Sequence, residues 1–382
     1  MSRLRVGLMD PVMAAARPTA DAFSRANYLS AVAGRVDSYW VPDHINGQTP
    51  RPLWDPKYTA AARLLQSPDA AMEAWTLLGS LAARRRFNRI SLGIGVTDTG
   101  KRHPAVTAQA AATLNLLTRG RAVLGIGPGE RVGNEPYGVD WSKPVARFEE
   151  ALATIRALWD SKGEVVNRDS PFFPLRNAIF DLPSYRGRWP KIWVAAHGPR
   201  MLRATGRYGD GWFPGFAHRP QDYVQRLEVI RTAASDAGRD PMSITPAFWI
   251  PVFAGSSRDA VDQGLDTTVV KAWCLNAPAE FFAHQGASHP LGEDCTGMQD
   301  HSNFTMDEAA VHSAAAQVPL SVIKAMMLTG TVDDVLEQAA VWRDHGVRHL
   351  VVVNFGAMQP NLRRGLGTML PFSKVLRGLR RL

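Results

Sequence analysis

Cysteine is almost absent from this chain: Cys274 and Cys295 are the two among 382 residues. They form no CxxC or comparable pair, which excludes a disulfide-stapled framework and a thiolate metal site; free thiols in a reducing compartment are expected. No apolar run approaches the ~20 residues that a bilayer-spanning helix needs. Met1-Ser2-Arg3-Leu4-Arg5-Val6 leads into a strand with no signal-type apolar segment behind it, so a cytoplasmic location is expected. His284, His289, Asp294, Cys295 and His301 are scattered without zinc spacing, and no metal is expected. A nucleophile elbow is missing, which removes Ser-His-Asp hydrolase chemistry. Gly125, Gly127 and Gly129 do not complete a dinucleotide fingerprint with its ribose-binding acid. The net charge is +9, yet dense basic clusters are few: Arg84-Arg85-Arg86 and the tail Arg377, Arg380, Arg381. Neither is interleaved with aromatics, so they read as solvated faces and nucleic acid is not an expected partner.

What the chain does have is a recurring unit: a helix, a glycine, then a short buried strand. It appears at Gly34 to Val41, Gly120 to Ile126, Gly206 to Phe213 and Gly346 to Val353. Strands are expected at 5–9, 38–41, 90–94, 122–126, 192–195, 211–213, within 243–253 (broken up by Pro246 and Pro251) and at 349–353. Helices are expected at 21–36, 71–83, 104–117, 145–159, from Pro199, at 221–237 and from Thr331 to His345. Thr331 and Asp334 resemble a capping box, with Asp for the usual Glu. Right-handed βα units in this number predict a parallel α/β fold. Eight strands favour a closed (β/α)8 TIM-like barrel over an open doubly wound sheet. One domain, 1–382, is expected, with an insertion around 270–320. The proline-bearing stretch 45–69 reads as a lid or binding loop, and 163–183 as irregular and apolar.

Ligands of parallel α/β folds sit at the carboxyl ends of the strands. Three stretches lie there. Gly127-Pro128-Gly129 breaks a strand and delivers Glu130, a candidate acid, base or cofactor contact, and Asn134, which could alternatively only stabilise its loop. Asp43-His44 follows the second strand; the histidine can exchange protons near neutral pH and the carboxylate can orient it, or the histidine can simply cap the strand. Ala195-Ala196-His197-Gly198-Pro199 joins a strand to a helix start, where backbone N–H groups and the helix dipole favour an anion such as phosphate; the alternative is a plain βα turn. Trp212-Phe213-Pro214-Gly215-Phe216 and Phe172-Phe173-Pro174 are apolar loops that suit an alkyl chain better than a sugar phosphate.

Asp43-His44, Gly95-Val96-Thr97, Gly125-Ile-Gly-Pro-Gly-Glu130 with Asn134, and Ala195-Ala196-His197-Gly198-Pro199 with Gly209-Asp210-Gly211 occur in the order of the luciferase-like flavin and deazaflavin barrel enzymes. The chain resembles that family end to end, and within it the deazaflavin branch, nearest to a ketoreductase of a waxy cell-envelope lipid. The resemblance implies a barrel of the bacterial luciferase type with coenzyme F420 across the strand ends, FMN being the alternative. It implies a non-prolyl cis peptide at Gly95-Val96 forming a bulge behind the ring. Asp43 would bind the ring system, and Ala196 to Gly198, with Pro199, the cofactor phosphate. Gly95, Val96, Thr97, Glu130 and Asn134 would complete the cofactor site, and His44 or Glu130 would be the catalytic acid. The implied activity is F420-dependent reduction of a long-chain lipid ketone. The rivals are an FMN-dependent monooxygenase and an F420-dependent alcohol or sugar-phosphate dehydrogenase. A small-molecule lipid ketone is the expected partner, with room for a homodimer and for peripheral contact with a membrane or lipid-synthesis machinery.

Overall fold

The computed structural model describes residues 3–84, 89–215, 219–299 and 305–382. Met1, Ser2, Arg85, Arg86, Phe216 and His301, singled out above, lie outside these residues. Among the described residues there are eleven strands: β1 (Arg5–Met9), β2 (Ser38–Val41), β3 (Ser91–Asp98), β4 (Ala122–Gly127), β5 (Val166–Arg168), β6 (Leu175–Ala178), β7 (Lys191–Val194), β8 (Gly211–Trp212), β9 (Thr245–Ala254), β10 (Leu328–Gly330) and β11 (His349–Asn354). Eight of them close a parallel barrel in the order β1-β2-β3-β4-β7-β8-β9-β11 and back to β1. These are the eight strands expected from the sequence. β10 was not foreseen, because three residues carry no periodicity; it pairs with the far end of β9 at Val252 to Ala254.

Two expectations fail locally. β9 is continuous despite Pro246 and Pro251. Pro251 shares a strand side with Trp249, whose N–H reaches Pro214 O beyond the end of β8, so its missing N–H falls where β8 has already stopped. Residues 163–183 are not irregular throughout: β5 and β6 form an antiparallel pair, Val166 opposite Ala178. The intervening Ser170-Pro171-Phe172-Phe173-Pro174 hides that alternation in the sequence.

Helices cover the barrel, including Pro104–Leu117, Pro144–Asp160, Pro199–Tyr208, Pro220–Asp236, Val332–Asp344 and Met369–Leu379. The capping box is present, with Thr331 and Asp334 bonded reciprocally. The barrel interior is filled by Met9, Trp40, Val123, Trp193, Phe213, Ala247 and Val351. Two tryptophans fit because glycines face them. A Cβ on Gly93 would lie 2.5 Å from the Trp40 ring, and one on Gly211 2.5 Å from the Trp193 indole. At the amino end of the barrel, Trp40 Nε1 donates to Ser38 Oγ at 2.7 Å, and Ser38 Oγ meets His349 Nε2 at 2.7 Å. Burial holds the His349 imidazole down at about 3.

Between β9 and β10, short helices including Thr268–Cys274, Ala279–His284, Glu308–Ala316 and Leu320–Met326 pack around Trp273, Phe281, Phe282 and Val322 as a second apolar cluster. The stretch 45–69 docks onto them: Leu53 is buried with Ala272, Val311 and Ala315, and Tyr58 and Lys57 both reach Glu308. This covers part of the carboxyl end of the barrel.

Candidate active site

All eight barrel strands run the same way, so their carboxyl ends share one face, and Asp43, His44, Thr97, Glu130 and Asn134 converge there. β3 is the organising strand. Its pairing with β4 is regular to Ile94, then shifts before Thr97, and the Gly95–Val96 peptide inside the shift is cis. The neighbouring strand accommodates this through Gly125, where a Cβ would lie 2.0 Å from Ile94 O. Beyond the bulge, β3 continues to Asp98, four residues further than the apolar run at 90–94 indicates.

That extension brings Thr97 to Asp43. Thr97 Oγ1 donates to Asp43 Oδ2 at 2.6 Å, and Arg102 donates to the same oxygen. Lys101 Nζ donates to the Asp43 carbonyl at 2.7 Å and lies 3.0 Å from Asp98. Arg102 also reaches Glu73 at 2.7 Å. The sequence reading missed Lys101 and Arg102. Their signal was charge balance: Asp43, Asp98 and Glu130 gathered at one strand end require nearby cations, and two cations follow β3 directly.

Asn134 is fully buried. Its Nδ2 donates to Asp98 Oδ2 at 3.2 Å and to the Glu130 carbonyl at 2.9 Å. It clamps the Glu130 loop onto the end of β3. Gly129, at φ +94°, lets the chain turn beneath it.

His44 and Glu130 are each about a quarter exposed, with His44 Nδ1 3.8 Å from Glu130 Oε2. Enclosure by protein pushes the Glu130 carboxyl up from its ordinary value, while His44 and Lys101 pull it down and Asp98 adds to the rise. With Asp43 and Asp98 matched by Arg102 and Lys101, the His44–Glu130 pair can exchange a proton with a bound molecule.

On the far side of β4, Val96 and Ala195 flank Gly127, where a Cβ would sit 3.4 and 3.5 Å from their side chains. Ala196 is buried and its carbonyl accepts from Trp212 Nε1 at 2.9 Å. His197, Gly198 and Pro199 are exposed at the start of helix Pro199–Tyr208. Trp212 and Phe213 are placed differently from expectation. Trp212 stacks on Tyr223 at 4.4 Å outside the barrel, while Phe213 fills its interior beside Trp40. Phe172 lies under the Arg147 guanidinium and Phe173 meets His103 edge-on, beside the starts of helices Pro144–Asp160 and Pro104–Leu117. Near the barrel end Trp249, Trp273 and Phe355 form a largely buried aromatic cluster, which sequence spacing could not bring together. Among the described residues no cluster of His, Cys, Asp and Glu could hold a metal, and no helix is long and apolar enough to cross a membrane.

The model of the luciferase-like monooxygenase family matches residues 32–349. The chain is 60% identical over its whole length to the whole of a phthiodiolone/phenolphthiodiolone dimycocerosates ketoreductase from Mycobacterium sp. (strain JLS). It is 54% identical, again over all of both chains, to the protein of that name from Mycobacterium tuberculosis (strain ATCC 25618 / H37Rv). In fold it is similar to an F420-dependent secondary alcohol dehydrogenase solved in complex with an F420–acetone adduct: TM-score 0.74, 17% identity, 99% of each chain covered. On the barrel, its bulged third strand and the family match, the chain belongs to the luciferase-like monooxygenase family.

Proposed function

We propose that this chain is an oxidoreductase that uses coenzyme F420 to reduce the keto group of a phthiodiolone-like long-chain lipid to a phthiotriol-like alcohol. The observation that carries this is the 60% identity, end to end, with a ketoreductase of that substrate class.

The residues present fit a flat cofactor with an anionic tail. The Gly95–Val96 bulge stands near the carboxyl end of β3, and Gly127 leaves room between Val96 and Ala195. A Cβ on Gly198 would meet nothing within 4 Å, so the backbone at this helix start is open to a phosphate. Asp43, Gly95, Val96 and Thr97 would hold the ring side, and His197, Gly198 and Pro199 the phosphate side, with Ala196 supporting that turn from below. Glu130 and Asn134 shape the opposite edge. Reduced F420, when bound, supplies a hydride to the carbonyl carbon.

The protein's part is the proton. As the carbonyl becomes an alkoxide, His44 gives a proton to that oxygen, so one hydride and one proton complete the alcohol. Glu130, held up by burial, is the rival donor and the group that can reprotonate His44.

The test is fluorescence titration with F420 and, separately, FMN, followed by single-turnover oxidation of reduced F420 with a long-chain ketone. Tight F420 binding and ketone-dependent turnover are expected. A preference for FMN with oxygen consumption would replace this reading by a monooxygenase.

A further inference from the structure

We propose that the exposed face of residues 362–381, whose apolar tip stands beside the mouth of the barrel, is a docking surface for an anionic lipid bilayer.

The observations are charge and exposure. From His349 to Leu382 the chain contains no Asp or Glu, while Arg363, Arg364, Lys374, Arg377, Arg380 and Arg381 fall within it. Large aliphatic side chains are exposed among these cations: Leu366 is 59% exposed, Met369 50% and Leu370 61%. They stand where helix Leu362–Gly367 meets helix Met369–Leu379. The inner face of the second helix is spent on the core through Phe372, Val375, Leu376 and Leu379. Leu370, Lys374, Arg377 and Arg381 recur at helical spacing on the outer face, so an apolar tip continues into a cationic stripe.

Position links the patch to the site. Asn354, the last residue of β11, donates from Nδ2 to Thr368 Oγ1 at 3.2 Å and to Met369 Sδ at 3.5 Å. The tip is therefore fastened to the strand end that borders the barrel mouth. Ala60 of the docked 45–69 stretch donates its N–H to Gln359 O, which ties the cover of the mouth to the chain just before this face.

The chemistry selects among occupants. Aliphatic side chains ringed by cations insert at the boundary of headgroup and acyl chain, with the cations on anionic headgroups. Nucleic acid would call for stacking aromatics among the cations, and the exposed apolar residues here are Leu and Met. A second copy meeting this face symmetrically would set like charge against like.

The experiment is co-sedimentation of the full chain, without cofactor or substrate, with vesicles of phosphatidylcholine alone or mixed with phosphatidylglycerol. Its result is thus independent of the ketoreductase reading. Partitioning onto the anionic vesicles is expected to be at least about tenfold stronger and to fall with added salt. The combined variant Leu366→Gln, Met369→Gln, Leu370→Gln is expected to lose about tenfold in partitioning with an unchanged circular dichroism melt. These side chains are exposed, so the fold does not rest on them. Equal binding to both vesicles, or full binding by the variant, overturns the proposal. So does a homodimer in buffer that the same variant dissociates, since that places a second copy on the face.

Discussion

His44 and Glu130 reach each other from the ends of two different strands, β2 and β4, with Nδ1 and Oε2 3.8 Å apart across the end of β3. Neither is locked by an ion pair as tight as Arg102 to Asp43 beside them. A pair at that spacing can close on a ligand oxygen or pass a proton between its members.

The first prediction concerns this pair. His44→Ala is expected to slow single-turnover hydride transfer by about 10²–10⁴-fold while F420 affinity changes little, as for loss of a positioned acid. Glu130→Ala is expected to cost less in that step. Stopped-flow absorbance of reduced F420 with each variant decides the order, and the reverse order assigns the proton to Glu130.

Glu130 also sets a pH dependence of stability. Its carboxyl titrates above the ordinary value because it is enclosed, so the native state holds that proton more tightly than the unfolded chain. The benefit is present below the unfolded carboxyl pKa and is lost as pH rises through the raised one. Glu130→Gln cannot ionise. Its urea midpoint is expected to gain on that of the natural chain between pH 4 and pH 7; a constant difference would contradict the raised value.

His349 has the opposite sense. The native imidazole stays neutral down to about 3, whereas the unfolded one protonates near the ordinary 6.5. Its contribution is complete above 6.5 and drains away as pH falls toward 3, by up to about 1.4 kcal/mol per pH unit. Between pH 7.5 and pH 5, the natural chain is expected to lose about 2 kcal/mol more than His349→Gln. Urea melts at the two values measure it.

Arg102 holds Asp43 in place, and Asp43 is 6% exposed. Arg102→Gln leaves that carboxylate short of its cation and is expected to destabilise by about 1–3 kcal/mol in urea unfolding. Adding Asp43→Asn removes the stranded charge, so the double variant is expected to be more stable than the sum of the singles.

Gly198 separates cofactor binding from folding. Its φ of −76° and the open space around its would-be Cβ mean that Gly198→Ala meets no strain. Stability is expected to stay within about 0.5 kcal/mol. If a phosphate rests on this backbone, a methyl group there is expected to raise the F420 dissociation constant about tenfold.

Much of the barrel was legible in the residues themselves. Ala122 to Ile126 and His349 to Val353 read as strands because both faces of a parallel strand are buried, leaving a continuous apolar run. Thr331 and Asp334 marked a helix start because their hydrogen bonds are local. Asp43, His44 and Glu130 could be placed at the ligand end because each follows such a run. The cis peptide at Gly95–Val96 came from family resemblance, and the structure has it.

Long-range relationships were not legible. The Asp43, Thr97 and Arg102 cluster joins residues about sixty positions apart through a bulge that the run at 90–94 does not announce. Trp212 and Phe213 were read as one apolar surface, yet strand alternation sends the first outward onto Tyr223 and the second into the barrel. Local hydrophobic period and capping chemistry are written into neighbouring residues, so the sequence by itself determined the eight barrel strands, the main helices between them and their parallel order, but not β10, the β5–β6 pair or the far end of β3. Which side chains share the mouth, which carboxylates are matched by cations, and where Trp249, Trp273 and Phe355 meet follow from barrel closure, and tertiary structure alone decided them.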